Sequence, residues 1–125
     1  MDPSVNAPYI NVGFLSSRRG ETEKAEKYFQ KALALVPGDP IVLYNLGTLK
    51  ADKGKWQEAI RFYEKAIETN PDYVCVYSER TRAYWTLGEK KKAIESLNQG
   101  LKRDPTNSML QNVKRWMEAK LRGGK

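Results

Sequence analysis

Residues 40–71 read PIVLYNLGTLKADKGKWQEAIRFYEKAIETNP, and the apolar spacing of this stretch decides the fold. Val42, Leu43, Leu46 and Leu49 recur at three- and four-residue steps, the period of one helix face. Gly54 interrupts that run. Trp56, Ala59, Ile60, Tyr63, Ala66 and Ile67 then form a second stripe. Asn70-Pro71 ends it, because the residue before a proline is pushed out of the helical region. The stretch is two helices joined by a glycine turn.

The same grammar lies on both sides at a constant distance of 34 residues. Gly20, Gly54 and Gly88 share it, as do Ala25, Ala59 and Ala93, and Pro37, Pro71 and Pro105. A fixed period of this length marks a stacked architecture in which no unit buries its apolar face alone. Helices are expected near 7–18, 22–36, 40–52, 56–69, 74–87 and 90–103. Ala25, Ala59 and Ala93, with Ala32 and Ala66, are small where two helices approach closely, and Phe29, Tyr63 and Leu97 fill the volume beside them. No stretch alternates with a two-residue period, so no sheet is expected.

Ser108–Leu121 adds a seventh amphipathic helix, with Met109, Leu110, Val113, Trp116, Met117 and Leu121 on one side. Lys114, Arg115, Glu118 and Arg122 face water. Such a helix closes the end of a stack, and Gly123-Gly124-Lys125 reads as a frayed tail. At the other end, Pro3 stands 34 residues before Pro37, and Asp2-Pro3 echoes Asp104-Pro105. Two readings stay open there: a preceding repeat finishes at Pro3, or Asp-Pro simply precedes the first helix.

The 125 residues are 40% hydrophobic and 30% charged, the balance of a folded helical domain. No apolar run approaches the roughly 18 residues that span a bilayer, and the N-terminus lacks the basic and apolar regions of a secretory signal. A lone Cys75 forms no internal disulfide, so a reducing, cytoplasmic compartment is expected. The net charge of +7 is unevenly placed. Residues 1–73 balance at ten basic and ten acidic side chains, whereas residues 74–125 hold twelve basic and five acidic. Solubility is the expected role of this excess, since Lys and Arg are common at helix ends, with an acidic partner as the alternative.

No catalytic role is expected from the chemistry of the residues present. The chain has no His, so it offers no imidazole base, and one Cys builds no metal site. Gly54-Lys55 and Gly124-Lys125 lack the surrounding residues of a phosphate-binding loop. No cofactor is expected.

The units resemble tetratricopeptide repeats, whose pattern runs aromatic, Leu-Gly, Tyr, Ala, aromatic, Ala, Pro. The repeat over 40–73 supplies Leu43, Leu46, Gly47, Ala59, Tyr63, Ala66 and Pro71. The one over 6–39 supplies Tyr9, Val12, Gly13, Ala25, Phe29, Ala32 and Pro37. The one over 74–107 supplies Tyr77, Tyr84, Ala93, Leu97, Gly100 and Pro105, but departs at Arg80 and Thr81 where Leu-Gly is expected. The resemblance implies an all-α solenoid, three antiparallel helix pairs in a right-handed superhelix with a seventh capping helix, as one domain over 1–125.

It also implies a non-catalytic scaffold that holds an extended peptide or helix of another protein in its concave groove. The family's groove positions fall on Ala7, Ile10, Phe14 and Ser17, then Ile41, Tyr44, Thr48 and Ala51, then Cys75, Ser78, Arg82 and Trp85, with Asn11, Asn45 and Glu79 alongside. Ile10, Phe14, Ile41, Tyr44, Asn45, Thr48, Ser78, Arg82 and Trp85 are the expected partner-binding residues. Aromatic anchors among them would dominate affinity, Asn45 would hold a backbone amide, and Arg82 would meet a carboxylate.

Chaperone-binding members of the family grip the acidic tail of heat-shock chaperones with Lys and Asn from the first repeat, Asn from the second, and Lys and Arg from the third. The corresponding residues here are Ile10, Phe14, Asn45, Cys75 and Glu79. Only Asn45 matches, and Glu79 repels an acidic tail, so the clamp is rejected on these residues. Two alternatives remain. The basic second half, with Tyr77, Tyr84, Trp85 and Trp116 interleaved, suits nucleic acid. An open first helix pair suits self-association.

Overall fold

Glycine and proline set the element boundaries through their backbone chemistry. The computed structural model describes residues 3–123; Met1, Asp2, Gly124 and Lys125, on which the Asp-Pro echo and the frayed tail partly rest, lie outside them. A short 3-10 turn over Pro3–Asn6 leads into α1 (Ala7–Arg18), followed by α2 (Thr22–Leu35), α3 (Pro40–Asp52), α4 (Trp56–Thr69), α5 (Cys75–Thr86), α6 (Lys90–Arg103) and α7 (Ser108–Arg122). No strand occurs among the described residues, and no helix is long and apolar enough to cross a membrane.

Gly20, Gly54 and Gly88 close the first helix of each pair with φ of 78°, 77° and 82°. In the middle turn, the Gly54 N–H donates to Ala51 O and the Lys55 N–H to Lys50 O, both at 2.9 Å. The same bonds recur in the other two turns, satisfying carbonyls that the helix end leaves unpaired. A Cβ on Gly54 would meet nothing within 4 Å, so the left-handed backbone alone selects glycine. The second helices stop differently. Val36, Asn70 and Asp104 leave with φ of −131°, −144° and −144°, the extended backbone that the following Pro37, Pro71 and Pro105 impose. Asp39 and Asn107 cap α3 and α7 by accepting the N–H groups of Ile41 and Leu110 at 3.0 Å.

Each pair packs internally, and its second helix also packs on the first helix of the next pair. The core is therefore shared across pairs. One cluster joins Ala25, Phe29 and Ala32 of α2 to Val42, Leu46 and Leu49 of α3. The next joins Leu43, Ala59, Tyr63 and Ala66 to Val76 of α5, and the last joins Tyr77, Ala93 and Leu97 to Leu110, Val113 and Met117 of α7. Gly47 lets α3 and α4 close: a Cβ there would lie 2.6 Å from the Tyr63 ring. The first helices also meet one another, α3 on α5 and α5 on α7. That side of the stack is its inner, concave face.

The third pair departs from the pattern with compensation. Thr81, fully buried in place of glycine, returns its hydroxyl to Tyr77 O at 2.7 Å, and buried Leu97 stands at the register position that Tyr63 holds in the second pair. Arg80, in place of Leu46, turns onto α6. Its Nε donates to Ser96 Oγ at 2.9 Å, another guanidinium nitrogen donates to Gln99 Oε1, and the plane lies 5.6 Å from the Tyr77 ring centre.

The apolar side of α7 is only partly covered. Leu110, Val113 and Met117 are buried, but Met109, Trp116 and Leu121 are 42%, 40% and 49% exposed. Among the described residues α7 packs only against α5 and α6, so the edge facing those two helices is the one that is covered. At the opposite end, Leu15 is 53% exposed, where Leu49, Ala83 and Met117 at the same register are buried. No preceding pair covers it within the described residues.

Candidate functional site

The concave face is built by α1, α3, α5 and α7, and the helical repeat brings every fourth or third residue of each onto it. On α1, Ile10 is half-buried and leans on the first core cluster, while Phe14 stays exposed with its ring edge-on to Phe29 at 5.7 Å and 74°. On α3, Ile41 is 43% exposed. Tyr44 is half-buried between Tyr63 and Tyr73, at 6.0 and 5.7 Å between ring centres. Asn45 Nδ2 donates to Ile41 O at 2.7 Å. Thr48 Oγ1 donates to Tyr44 O at 3.0 Å and lies 3.3 Å from the Tyr63 hydroxyl.

On α5 the expected residues separate. Arg82 is exposed and Trp85 half-buried. Ser78 is fully buried, which corrects its assignment to the groove surface. Its hydroxyl donates to Cys75 O at 2.8 Å and reaches Met109 Sδ at 3.0 Å, because α7 lies across it. Trp85 meets Trp116 of α7 edge-to-face at 5.5 Å and 62°, with Lys90 Nζ 5.2 Å from its ring centre. Met109 and Trp116 thus extend the groove wall. The 34-residue register, carried one step further, leads from Cys75 to Met109 and from Arg82 to Trp116.

The electrostatics of the floor are set by burial. Burial raises the Tyr44 hydroxyl to about 12, with the Glu79 charge adding to it, and raises the Tyr63 and Tyr73 hydroxyls as well. The Cys75 thiol, beside the Tyr73 and Tyr44 hydroxyls, is also pushed up, first by burial; the Glu79 charge adds to the effect. Cys75 is therefore held as the unreactive thiol at neutral pH. Glu79 is raised by burial, lowered by Arg82 and raised again by Asp52.

The basic excess of the second half is dispersed. Arg103 pairs with Asp72 at 3.1 Å and Lys92 with Glu89 at 3.4 Å, while Arg80 is tied to α6. Of the interleaved aromatics, Tyr77 is buried and Tyr84 bonds Glu64 at 3.3 Å.

Two family models described as tetratricopeptide repeat match the chain, one over residues 4–72 and one over 50–117. The Protein STIP1 homolog of Dictyostelium discoideum is 30% identical over 105 residues, which are 84% of this chain and 19% of that protein. The chain thus spans about a fifth of the length of that relative. Among solved structures, the first TPR of Spaghetti (RPAP3) bound to HSP90 peptide SRMEEVD superposes with a TM-score of 0.86 at 21% identity, covering 97% of this chain and 98% of that one. The TPR2B domain of yeast Sti1 in complex with an Hsp70 peptide gives 0.82 at 21% identity, over 88% and 90%.

Proposed function

The chain belongs to the tetratricopeptide repeat family, and we propose that it is a single, non-catalytic protein-interaction domain that holds an extended segment of a partner protein in its concave groove. The carrying observation is the row of large apolar side chains left uncovered there. Phe14, Ile41, Trp116 and Met109 stay well exposed although the three core clusters close without them. Side chains of this kind, lining a concave surface, gain most by excluding water against a partner's apolar residues. Asn45 and Thr48 supply polar groups between them for a peptide backbone, and Arg82 stands at the rim for a carboxylate.

The relatives bring the chaperone tail into view, since Spaghetti and Sti1 are described with HSP90 and Hsp70 peptides. The residues of this groove oppose that ligand. Ile10, Phe14 and Cys75 supply no cation, and Glu79 places a carboxylate on the floor.

Selection from a ten-residue peptide display library, counter-screened on a Phe14→Glu, Ile41→Glu double variant, tests the groove. Both sites are exposed, so the fold is retained, and selected peptides should lose at least about tenfold in affinity on the variant. Equal binding to both proteins overturns the groove assignment. Fluorescence polarisation with SRMEEVD itself should show no saturable binding; saturation lost on Asn45→Ala restores the tail as ligand. Sedimentation of the same protein distinguishes a groove ligand from self-association through the open face at Leu15.

A further inference from the structure

Glu79 stands in the row Asn11, Asn45, Glu79, spaced by the 34-residue register along the groove floor. It is half-buried, and its charge is felt by Tyr44, Tyr63 and Cys75 around it. Among the described residues it takes part in no ion pair and accepts no hydrogen bond. The nearby charges are Asp52, which opposes its ionisation, and Arg82, which is exposed and favours it without closing to ion-pair distance. Glu26, on the outer seam, shows the usual remedy: Lys53 and Lys50 meet its carboxylate at 3.0 and 3.4 Å. A partly desolvated carboxylate left without a cation costs free energy in the unbound domain. An incoming cation removes that cost and gains a charge-assisted hydrogen bond.

The helices flanking Glu79's own α5 carry aromatic and apolar side chains. On α3 these are Tyr44, packed against Tyr73, and Ile41, with Phe14 further along on α1. On α7 they are Met109, which touches Ser78, and Trp116, which meets Trp85 of α5 edge-to-face. A guanidinium or ammonium group reaching the carboxylate passes over these rings and gains from their faces. Residues flanking it in an extended segment meet apolar surface in both directions.

We propose that the groove recognises a segment with an arginine or lysine side chain seated on Glu79 and large apolar residues to either side. This rests on the groove reading of the preceding subsection and gives the ligand its charge, opposite to that of the acidic peptide SRMEEVD.

The experiment repeats the ten-residue display selection on wild type, Glu79→Gln and Glu79→Arg, all checked for helicity by circular dichroism. Wild type should enrich Lys or Arg at one fixed position between apolar residues. A synthetic peptide from that pool should bind Glu79→Gln about tenfold more weakly. Glu79→Arg should enrich Asp or Glu at the same position. Wild-type pools without a fixed basic position, or equal affinity for wild type and Glu79→Gln, overturn the proposal while leaving the groove in place. A library that yields no binder, or binders indifferent to the Phe14→Glu, Ile41→Glu variant, overturns the groove and the proposal together.

Discussion

The second and third helix pairs follow one register but solve it with different residues. Gly47 faces Tyr63 in the second; in the third the register puts Thr81 and Leu97 in those two places. Ala66 lies near Val76 in one seam, and Gly100 lies against Leu110 in the next. In each case one side chain has grown where its partner has shrunk. The core therefore constrains the summed volume at each contact rather than the residue at each position, as expected of interiors packed near crystal density. The groove row answers to no such constraint. Asn45 and Glu79 occupy equivalent places in the register, both half-buried and both outside the three core clusters, and one is neutral where the other carries a charge.

The largest test of this comparison transplants the third pair's solution into the second. Gly47→Thr alone drives a Cβ to 2.6 Å from the Tyr63 ring and within 3.2 Å of Ala59 O. A loss of about 3 kcal/mol in urea unfolding is expected, the upper range for overpacking. Tyr63→Leu alone leaves a cavity and should cost about 2 kcal/mol. The double variant should be at least ~1 kcal/mol more stable than the sum of the two predicts, because the residues touch. Strict additivity would show that the pairs are not exchangeable and break the volume argument.

A smaller test compares Gly100 with Ala66. Gly100→Ala gains about 1 kcal/mol of helix propensity, yet its Cβ meets Tyr77 Cβ at 2.8 Å and Leu110 at 3.0 Å. A net loss of about 1 kcal/mol is expected, relieved by Leu110→Val, which shortens the opposing side chain. Should thermal unfolding show Gly100→Ala to be stabilising, the glycine is not there to admit Leu110.

The fold was legible because its determinants are local. Gly54 needs a left-handed backbone and Asn70 is forced extended by Pro71, and neither depends on the rest of the chain. The site was legible only in part. The register placed Tyr44, Asn45 and Arg82 on the inner helices, but it could not reveal that Met109, 31 residues away, lies against Ser78 and buries it. Amphipathic spacing likewise grouped Met109 and Trp116 with Leu110 and Met117 on one stripe. Which edge of that stripe is covered depends on how α7 meets α5 and α6, a tertiary fact that periodicity does not carry.

The smallest expected effect separates the two half-buried glutamates by pH. Glu79 is raised above the ordinary 4.5, by burial and by Asp52 against the opposing pull of Arg82. Such a carboxyl costs nothing while protonated in both states, and the folded chain loses stability as pH rises through its folded titration. Glu79→Gln should therefore be more stable than wild type at pH 7 by about half a kcal/mol, the scale of partly exposed charges, and the gap should close towards pH 4. Glu26 is lowered, first by the Lys53 hydrogen bond and also by Lys50, against burial. Its contribution is present above the ordinary 4.5 and is lost as pH falls through its folded titration, so Glu26→Gln should be less stable than wild type at pH 7, with the gap closing in acid. Opposite signs in urea unfolding across this range mark Glu26 as a carboxylate the fold has partnered and Glu79 as one it has left for another molecule. Matching signs would mean that Glu79 is already satisfied within the chain, and the argument for a cationic ligand would lose its footing.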